Sequence, residues 1–551
     1  MKRGIYKTLA IGQTVMMVLG LLAAIPAAAF AAEAYIPAIE GDSAPIMPFA
    51  TGNIGPRGNT YDDPANGVYV SPGGNDSTAT GSIDAPYKSI NSALAAAQPG
   101  DTIILRNGVY REGINVRVRI PNITIKSRKG EWAVIDLTTY NAGANEDSGV
   151  YFDVDSSGGK LQAVEVIGGF YAVCLETRWD WGDPSNRSGA SNIVIEDCLL
   201  HDSRYDVVKV KPNCNNVTIR YNEIYNSGVA FGAEGGNAEG IDNVNGDSMV
   251  VQNNFIHDVC STAIYAKGGA TGVLIENNRI ERAREAGILV GFDTSPEFFD
   301  LVVNPEYYEN ISGIVRNNLI MDTGLSGIGL YASKDAQVYN NTLVNVANET
   351  DHSAIYFGIT FQDWEDYAGR PANVNPHIHH NIISQPSSVT RPMVEVRYAT
   401  ALGGLSALDG NPLMNNNCYY IAGKSASFSD RRPDSTLEDA GLSAWQSHIG
   451  GDNDSLEADP ALDERYMPTN PLCSGMGLWY SLDTDTDTQP GEFPDLNHDG
   501  VINMLDVLLL YRHFRGKSSL VGVDLVAADV NRDGLVNLQD VLLLYQHYRG
   551  R

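Results

Sequence analysis

Seven turn segments recur through the middle of the chain: IEDCLLHD, IRYNEIYN, VQNNFIHD, IENNRIER, VRNNLIMD, VYNNTLVN and IHHNIISQ. They align so that Cys198, Asn222, Asn254, Asn278, Asn318, Asn341 and Asn381 fall at one equivalent position. The intervals are 24, 32, 24, 40, 23 and 40 residues, a basic rung of 23 or 24 lengthened three times by insertion. Periods of this size with short apolar strands predict a solenoid, in which each rung buries its face only against its neighbours. The segments AIYAKGG, GILVGFD and GIGLYAS alternate with period two, as strands with one face in and one face out, and are too short for helices. The recurrent Asn reads as an internal ladder whose stacked amides satisfy turn backbone groups from rung to rung.

The segment GVYVSPGGNDSTATGSIDAPYKSINSALAAAQPGDTIILRNGVYRE reads as the start of the solenoid. It offers a first strand, a Gly-rich turn, a helix from about Ser89 to Ala97 over the open core, and Pro99-Gly100 turning into TIILRNGVY. With this cap and the rungs over residues 67 to 420, the chain resembles the right-handed parallel β-helix proteins, a pectate-lyase-like group that includes alginate lyases and chondroitinase-like enzymes. That resemblance implies an all-β domain whose closing segment spans about 421 to 480.

The N-terminus, MKRGIYKTLAIGQTVMMVLGLLAAIPAAAFAAEA, has basic Lys2, Arg3 and Lys7, an apolar run and the small-residue site Ala29-Phe30-Ala31. It reads as an export signal over residues 1–31. No later stretch offers the roughly 18 apolar residues of a span, so a secreted protein without membrane insertion is expected. The net charge of -29 disfavours nucleic acid and anionic membranes, but leaves room for an acidic glycan held by local cations. The six Cys show no zinc spacing and are too sparse for a disulfide scaffold, so buried thiols are expected.

After the spacer SLDTDTDTQPGEFP come two near-copies, DLNHDGVINMLDVLLLYRHFRG and DVNRDGLVNLQDVLLLYQHYRG, beginning 34 residues apart. Oxygen ligands recur at calcium-loop positions 1, 3, 5, 9 and 12, with a turn Gly at 6. The first loop offers Asp495, Asn497, Asp499, Asn503 and Asp506, with Gly500 and the carbonyl of Val501. The second offers Asp529, Asn531, Asp533, Asn537 and Asp540, with Gly534 and the carbonyl of Leu535. Asp replaces the usual Glu at position 12, and full helices do not precede the loops, so the region resembles a type I dockerin rather than a calcium sensor. The resemblance implies a small α-helical domain, two calcium ions, and a cohesin module of a scaffold or cell-surface protein as partner. Met504-Leu505 and Leu538-Gln539 stand where that family tunes partner choice.

Chemistry is expected on the strands after the ladder turns. Alternation turns Lys209 and Lys211 outward, with Glu176 and Arg178 on the preceding rung. Asp242, Tyr265 with Lys267, Asp293, Tyr331 and Tyr356 follow on later rungs. WDWGDPSNRSGAS, the segment around SGVAFGAEGGNAE, FDTSPEFFDLVVNPEYYEN and FQDWEDYAGRPANVNP are long insertions, three of which leave directly from these strands and should stack on one side, where ordered loops commonly carry function.

Cations, carboxylates and rings together fit β-elimination of a uronate-containing polysaccharide, which needs a cation at the carboxylate and a base for the C5 proton. Lys211 is the base candidate, with Lys209 lowering its pKa and Lys267 as the substitute. Arg178, or a catalytic calcium held by Glu176 or Asp242, would grip the carboxylate, and Tyr265, Tyr331 and Tyr356 would stack on sugars. DVVKVKP resembles the acidic-residue-to-Lys strand of alginate lyases and chondroitinase-like enzymes, which implies Asp206 as a further metal ligand and Lys211 as the base, but it lacks their Arg-His element on the next rung. His201 and His257, each before an Asp at one turn position, read as structural.

Two other readings stand beside the lyase. Asp242, Asp293 and Glu176 would supply the paired carboxylates of a glycoside hydrolase, and a non-catalytic glycan-binding solenoid would need neither. The expected plan is a signal over 1–31, a spacer over 32–66, the β-helix over 67–480, a linker over 481–494 and the dockerin over 495–551.

Overall fold

The computed structural model describes residues 54–138, 149–179, 187–229, 236–349, 351–361 and 370–478, and, in the C-terminal unit, 496, 504–515, 528, 541, 544 and 545. The export signal lies outside these. Two compact units are defined, residues 1–484 and 485–551.

The first unit is a parallel β-helix. Three sheets of 12 strands run its length, one strand of each per rung, joined in parallel register apart from one antiparallel terminal strand. The first sheet runs from Val68–Val70 to Leu413–Asn415, the second from Val116–Val118 to Leu437–Ala440 and the third from Gly108–Tyr110 to Leu456–Glu457. A fourth sheet of five two-residue strands runs from Ala270–Thr271 to Leu408–Asp409. One apolar core fills the interior, with Ile195, Ile219, Val251, Ile275, Val315, Val338 and Ile378 at matched positions on successive rungs.

The Asn ladder is present. Each backbone N–H donates to the Oδ1 of the next Asn, at 3.0–3.1 Å from Cys198 through Asn222, Asn254, Asn278, Asn318, Asn341 and Asn381. Each Nδ2 also donates to a carbonyl of the preceding rung, as Asn278 does to Val251 at 2.9 Å. The ladder extends to Asn417, which the repeat alignment missed, and ends on the Ser455 hydroxyl. All these Asn side chains are buried, so the satisfied amides fix the turn without an orphaned polar group.

Both ends are covered. Helix Ile90–Ala96, capped by Ser89 accepting from the Ser92 N–H, lays Ile90 and Ala93 on the first rung. Helix Leu442–Ile449 places Trp445 against Phe428 at the other end. Part of the sequence expected as spacer is packed. Ile54 joins Leu319, Met321 and Leu478 in an apolar cluster, and Asn59 donates to the carbonyls of Ser127, Arg128 and Glu131. No apolar periodicity marks this segment, because it is fixed mainly by side-chain hydrogen bonds and ion pairs such as Arg57–Asp197.

In the second unit, helix Met504–Phe514 buries Val507 and Leu510 against Leu496, Ala528, Val541 and Leu544. Its other side exposes Met504, Leu505, Leu508, Tyr511 and Phe514. Asp506 is buried, and its Oδ1 accepts from the Leu496 N–H at 2.8 Å. Asp495, Asn497, Asp499, Val501, Asn503, Asp529, Asn531, Asp533, Leu535, Asn537 and Asp540 lie outside the described residues.

Candidate active site

The candidate site lies on the second sheet. Val208 and Val210 face the core, so Lys209 points outward. In register with it stand Cys174 on the rung before and Asp242 on the rung after, followed by Tyr265, Leu289, Gly329, Tyr356 and Glu395. At the turn entering the sheet, Asp206 and Glu239 occupy matching positions of adjacent rungs, and the Glu239 N–H donates to Asp206 Oδ1 at 3.1 Å.

Asp206, Glu239 and Asp242 form a buried cluster whose ligand oxygens all lie within 4.8 Å of one another. Asp206 Oδ2, Glu239 Oε2 and Asp242 Oδ1 accept no aligned hydrogen bond. Cations approach them as ion pairs. Lys209 Nζ lies 3.1 Å from Asp206 Oδ2 and also pairs with Asp242 Oδ2, while Lys267 Nζ is 3.7 Å from Asp242 Oδ1. Burial and the neighbouring Asp206 charge push the Glu239 carboxyl well above the usual range. Burial also works against the Asp242 carboxylate, but Lys209 and Lys267 outweigh it and hold its pKa down. Burial likewise opposes the Lys209 ammonium, and Asp206 and Asp242 hold its pKa well above that of an ordinary lysine.

The donor set fits calcium. All three ligands are hard oxygens, and atoms on opposite sides of one calcium at ~2.4 Å each are ~4.8 Å apart. Sequence reasoning found Asp206 and Asp242 but missed Glu239, which lies in the insertion-bearing segment NAEGID. The available signal was its place three residues before Asp242, matching Asp206 before Lys209.

The other expected site residues lie elsewhere. Lys211 Nζ is 2.8 Å from Glu176 Oε1, so these two pair with each other rather than joining the cluster. Against the cost of burial, Cys174 and Glu176 hold the Lys211 pKa up, so Lys209 does not produce a depressed base there. Arg178 sits on a hairpin, exposed, 3.7 Å from Asp155. Asp293 stands beside the buried Glu309, whose carboxyl burial raises to about 7. The three tyrosines expected to stack on sugars are a correction. Tyr265, Tyr331 and Tyr356 are only 2%, 5% and 5% exposed, packed with Ala286, Leu289 and Phe292. Alternation predicted that they point outward, but not that neighbouring side chains roof them.

A family profile described as the right handed beta helix region matches residues 130–306 and 239–418, and the chain belongs to that family. A Dockerin type I domain matches residues 494–547, and a family of unknown function, DUF1565, matches 72–123. The protein is thus a right-handed parallel β-helix carrying a C-terminal type I dockerin, a calcium-binding kind of module. Pectate lyase PEL9 of Emericella nidulans is 33% identical over 119 residues, covering 19% of this chain and 29% of that protein. The chain therefore spans less than a third of this curated relative. Among solved structures, pectate lyase Pel9A has a TM-score of 0.44 at 16% identity, covering 61% of this chain and 80% of its own. An alginate lyase from Paenibacillus sp. str. FPU-7 has a TM-score of 0.36 at 18% identity, covering 54% and 90%. At such identities the chemistry of these neighbours does not transfer. No helix among the described residues is long and apolar enough to cross a membrane.

Proposed function

We propose that this protein is a secreted polysaccharide lyase that cleaves a uronate-containing glycan by β-elimination. The observation that carries the reading is the buried Asp206–Glu239–Asp242 cluster, its three oxygens without aligned hydrogen bonds and its flanks held by Lys209 and Lys267. Residues 67–480 form the catalytic body, and the dockerin over 495–551 attaches it to a cohesin-bearing scaffold. Asp206, Glu239 and Asp242 would hold a catalytic calcium. Bound there, it would supply positive charge against the uronate carboxylate, which would acidify C5–H and favour the neutral form of a nearby amine.

Lys209 is a poor proton acceptor, since two carboxylates hold its ammonium. It serves to orient Asp206 and Asp242. Lys267 makes one longer contact to the cluster, lies over the Tyr265 ring at 4.2 Å, and is the better base. It removes the C5 proton as C4=C5 forms and the C4–O bond breaks; the departing oxygen takes a proton from water to become the hydroxyl of one product, and the other carries the unsaturated uronate. This shifts the base from Lys211, which is engaged by Glu176.

Purified full-length protein is tested on polygalacturonate, alginate, glycosaminoglycans and xylan, with calcium and with chelator, scoring unsaturated products and reducing ends. Calcium-dependent unsaturated products are expected, with Lys267→Ala losing ~10²- to ~10⁴-fold. Reducing ends without unsaturation make the protein a hydrolase, and binding without turnover makes it a glycan-binding solenoid. Full activity in Lys267→Ala together with loss in Lys211→Ala returns the base to Lys211.

A further inference from the structure

Glu395 is a fully buried carboxylate on which three arginines converge. Arg431 Nε is 2.6 Å from Oε1, Arg391 Nη2 is 3.3 Å from Oε2 and Arg397 Nη1 is 3.7 Å from Oε1. Their side chains are 37%, 27% and 39% exposed. One carboxylate cannot neutralise three guanidinium groups. Glu438 and Asp439 lie near Arg431, and Arg391 also donates to the His352 carbonyl. Arg397 makes no side-chain hydrogen bond among the described residues, and its contact to Glu395 is the longest of the three.

A second observation points to the same place. The His352 ring stacks on Tyr356 at 4.0 Å, and its buried Nδ1 has no hydrogen-bond partner. Burial, with the charges of Arg397 and Arg391, pushes its pKa down to about 4 despite Asp351. The imidazole is therefore neutral and sits in a positive local field.

The position of the group gives it meaning. Glu395 stands in the same outward row as Asp242, five rungs along through Tyr265, Leu289, Gly329 and Tyr356. At ~4.8 Å per strand the two are ~24 Å apart on one sheet face, a span of several sugar residues. In a protein of net charge -29, a polyanion passing over the side chains that cover this row needs local cations. Planar guanidinium groups match carboxylates in a way a scattered lysine does not.

We propose that Arg391, Arg397 and Arg431, backed by Glu395 and flanked by His352, form a distal subsite for a uronate carboxylate of the same glycan chain that reaches the Asp206–Glu239–Asp242 cluster. This rests on the uronate-glycan reading above and adds that the protein takes long polyuronates in preference to short oligomers. The buried Glu395 holds the Arg431 and Arg391 guanidinium groups by hydrogen bonds and keeps Arg397 beside them by charge, leaving their outer edges to the ligand.

The test uses Arg397→Gln in the full chain, the change least tied to the fold. Retention in gels containing polygalacturonate, alginate or neutral xylan reads binding, and kcat/KM on polymer against uronate trimers reads length dependence. Polyuronate retention is expected to weaken about tenfold, as for loss of one charge-assisted contact, while xylan retention stays as it was. The polymer-to-trimer ratio of kcat/KM should fall by a similar factor, and Arg397→Lys should restore part of both. Unchanged polyuronate binding, or equal loss on trimer and polymer at an unchanged melting temperature, overturns the subsite. If wild-type protein turns over no uronate glycan but Arg397→Gln still weakens polyuronate retention, the lyase reading falls and the subsite stands.

Discussion

Lys209 Nζ lies 3.1 Å from Asp206 Oδ2, three residues back along the chain, and pairs at the same time with Asp242 on the next rung. One ammonium thus bridges two carboxylates of the cluster. In Lys209→Met those acids lose their main compensating charge in a buried setting, which costs about 3 kcal/mol. A bound divalent cation should offset most of that loss. Thermal melts of Lys209→Met with chelator and with calcium are expected to differ by more than those of the wild type. An equal destabilisation in both conditions would show that the cluster holds no ion.

Glu239 makes cation binding pH-dependent. Its folded carboxyl is raised by burial and by Asp206, so it stays protonated where ordinary carboxyls have ionised, and a cation must displace that proton. Calcium affinity of the β-helix should therefore rise with pH, with proton release on binding. Calorimetry in buffers of different ionisation enthalpy reads the protons directly, and Glu239→Gln should abolish the release.

The contrast between ladder and site shows what the sequence exposes. Asn222 to Asn381 are legible because every rung repeats one solution to one backbone problem, and repetition is visible in a single chain. Asn417 escaped because the rung leading to it is 36 residues long and falls outside the aligned turns. Lys209 and Asp242 were legible from strand alternation, and Asp206 from the resemblance of DVVKVKP to the acidic-residue-to-Lys strand of alginate lyases. Glu239 and Arg431 were not, since their meaning lies in cross-rung neighbours 33 and 36 residues away in the chain. The roofing of Tyr265, Tyr331 and Tyr356 depends on Phe292 and Leu289 from other rungs, which periodicity cannot weigh.

His201 gives a stability prediction with a definite sign. Its ring contacts Asp202 at 2.7 Å and Glu165 at 3.3 Å and stacks on Tyr225 at 4.5 Å. Burial opposes the charge, but the two acids raise the pKa from 6.5 to about 9. A histidine raised in the folded state stabilises fully below about 6.5, and that contribution is lost as pH climbs through about 9. The loss is about 3 kcal/mol by the size of the shift. Urea midpoints should fall across this window, and His201→Gln should flatten the slope.

The dockerin unit should lose its fold on calcium removal, because two loops rich in carboxylates repel one another when empty. Asp506 also fastens Leu496 through a buried 2.8 Å hydrogen bond. Chelation is expected to abolish cohesin binding while the strand circular dichroism of the β-helix persists. Cohesin binding that survives chelation would count against a calcium-dependent module.

The ladder itself can be broken at one rung. Asn278 accepts from the Asn254 N–H and Nδ2 at 3.0 Å each, and its own Nδ2 donates to Val251 and Glu276 at 2.9 and 3.0 Å. Asn278→Leu keeps a comparable volume but strips partners from buried groups on both sides. Each such group costs about 1–3 kcal/mol when left unsatisfied, so a total loss of about 3 kcal/mol or more is expected. Asn417→Leu breaks fewer contacts between stacked amides, because its neighbour beyond is Ser455 rather than another Asn. Urea unfolding of the two variants should therefore rank Asn278→Leu as the less stable. The reverse order would mean that the end of the solenoid, rather than the stacked amides, sets its stability.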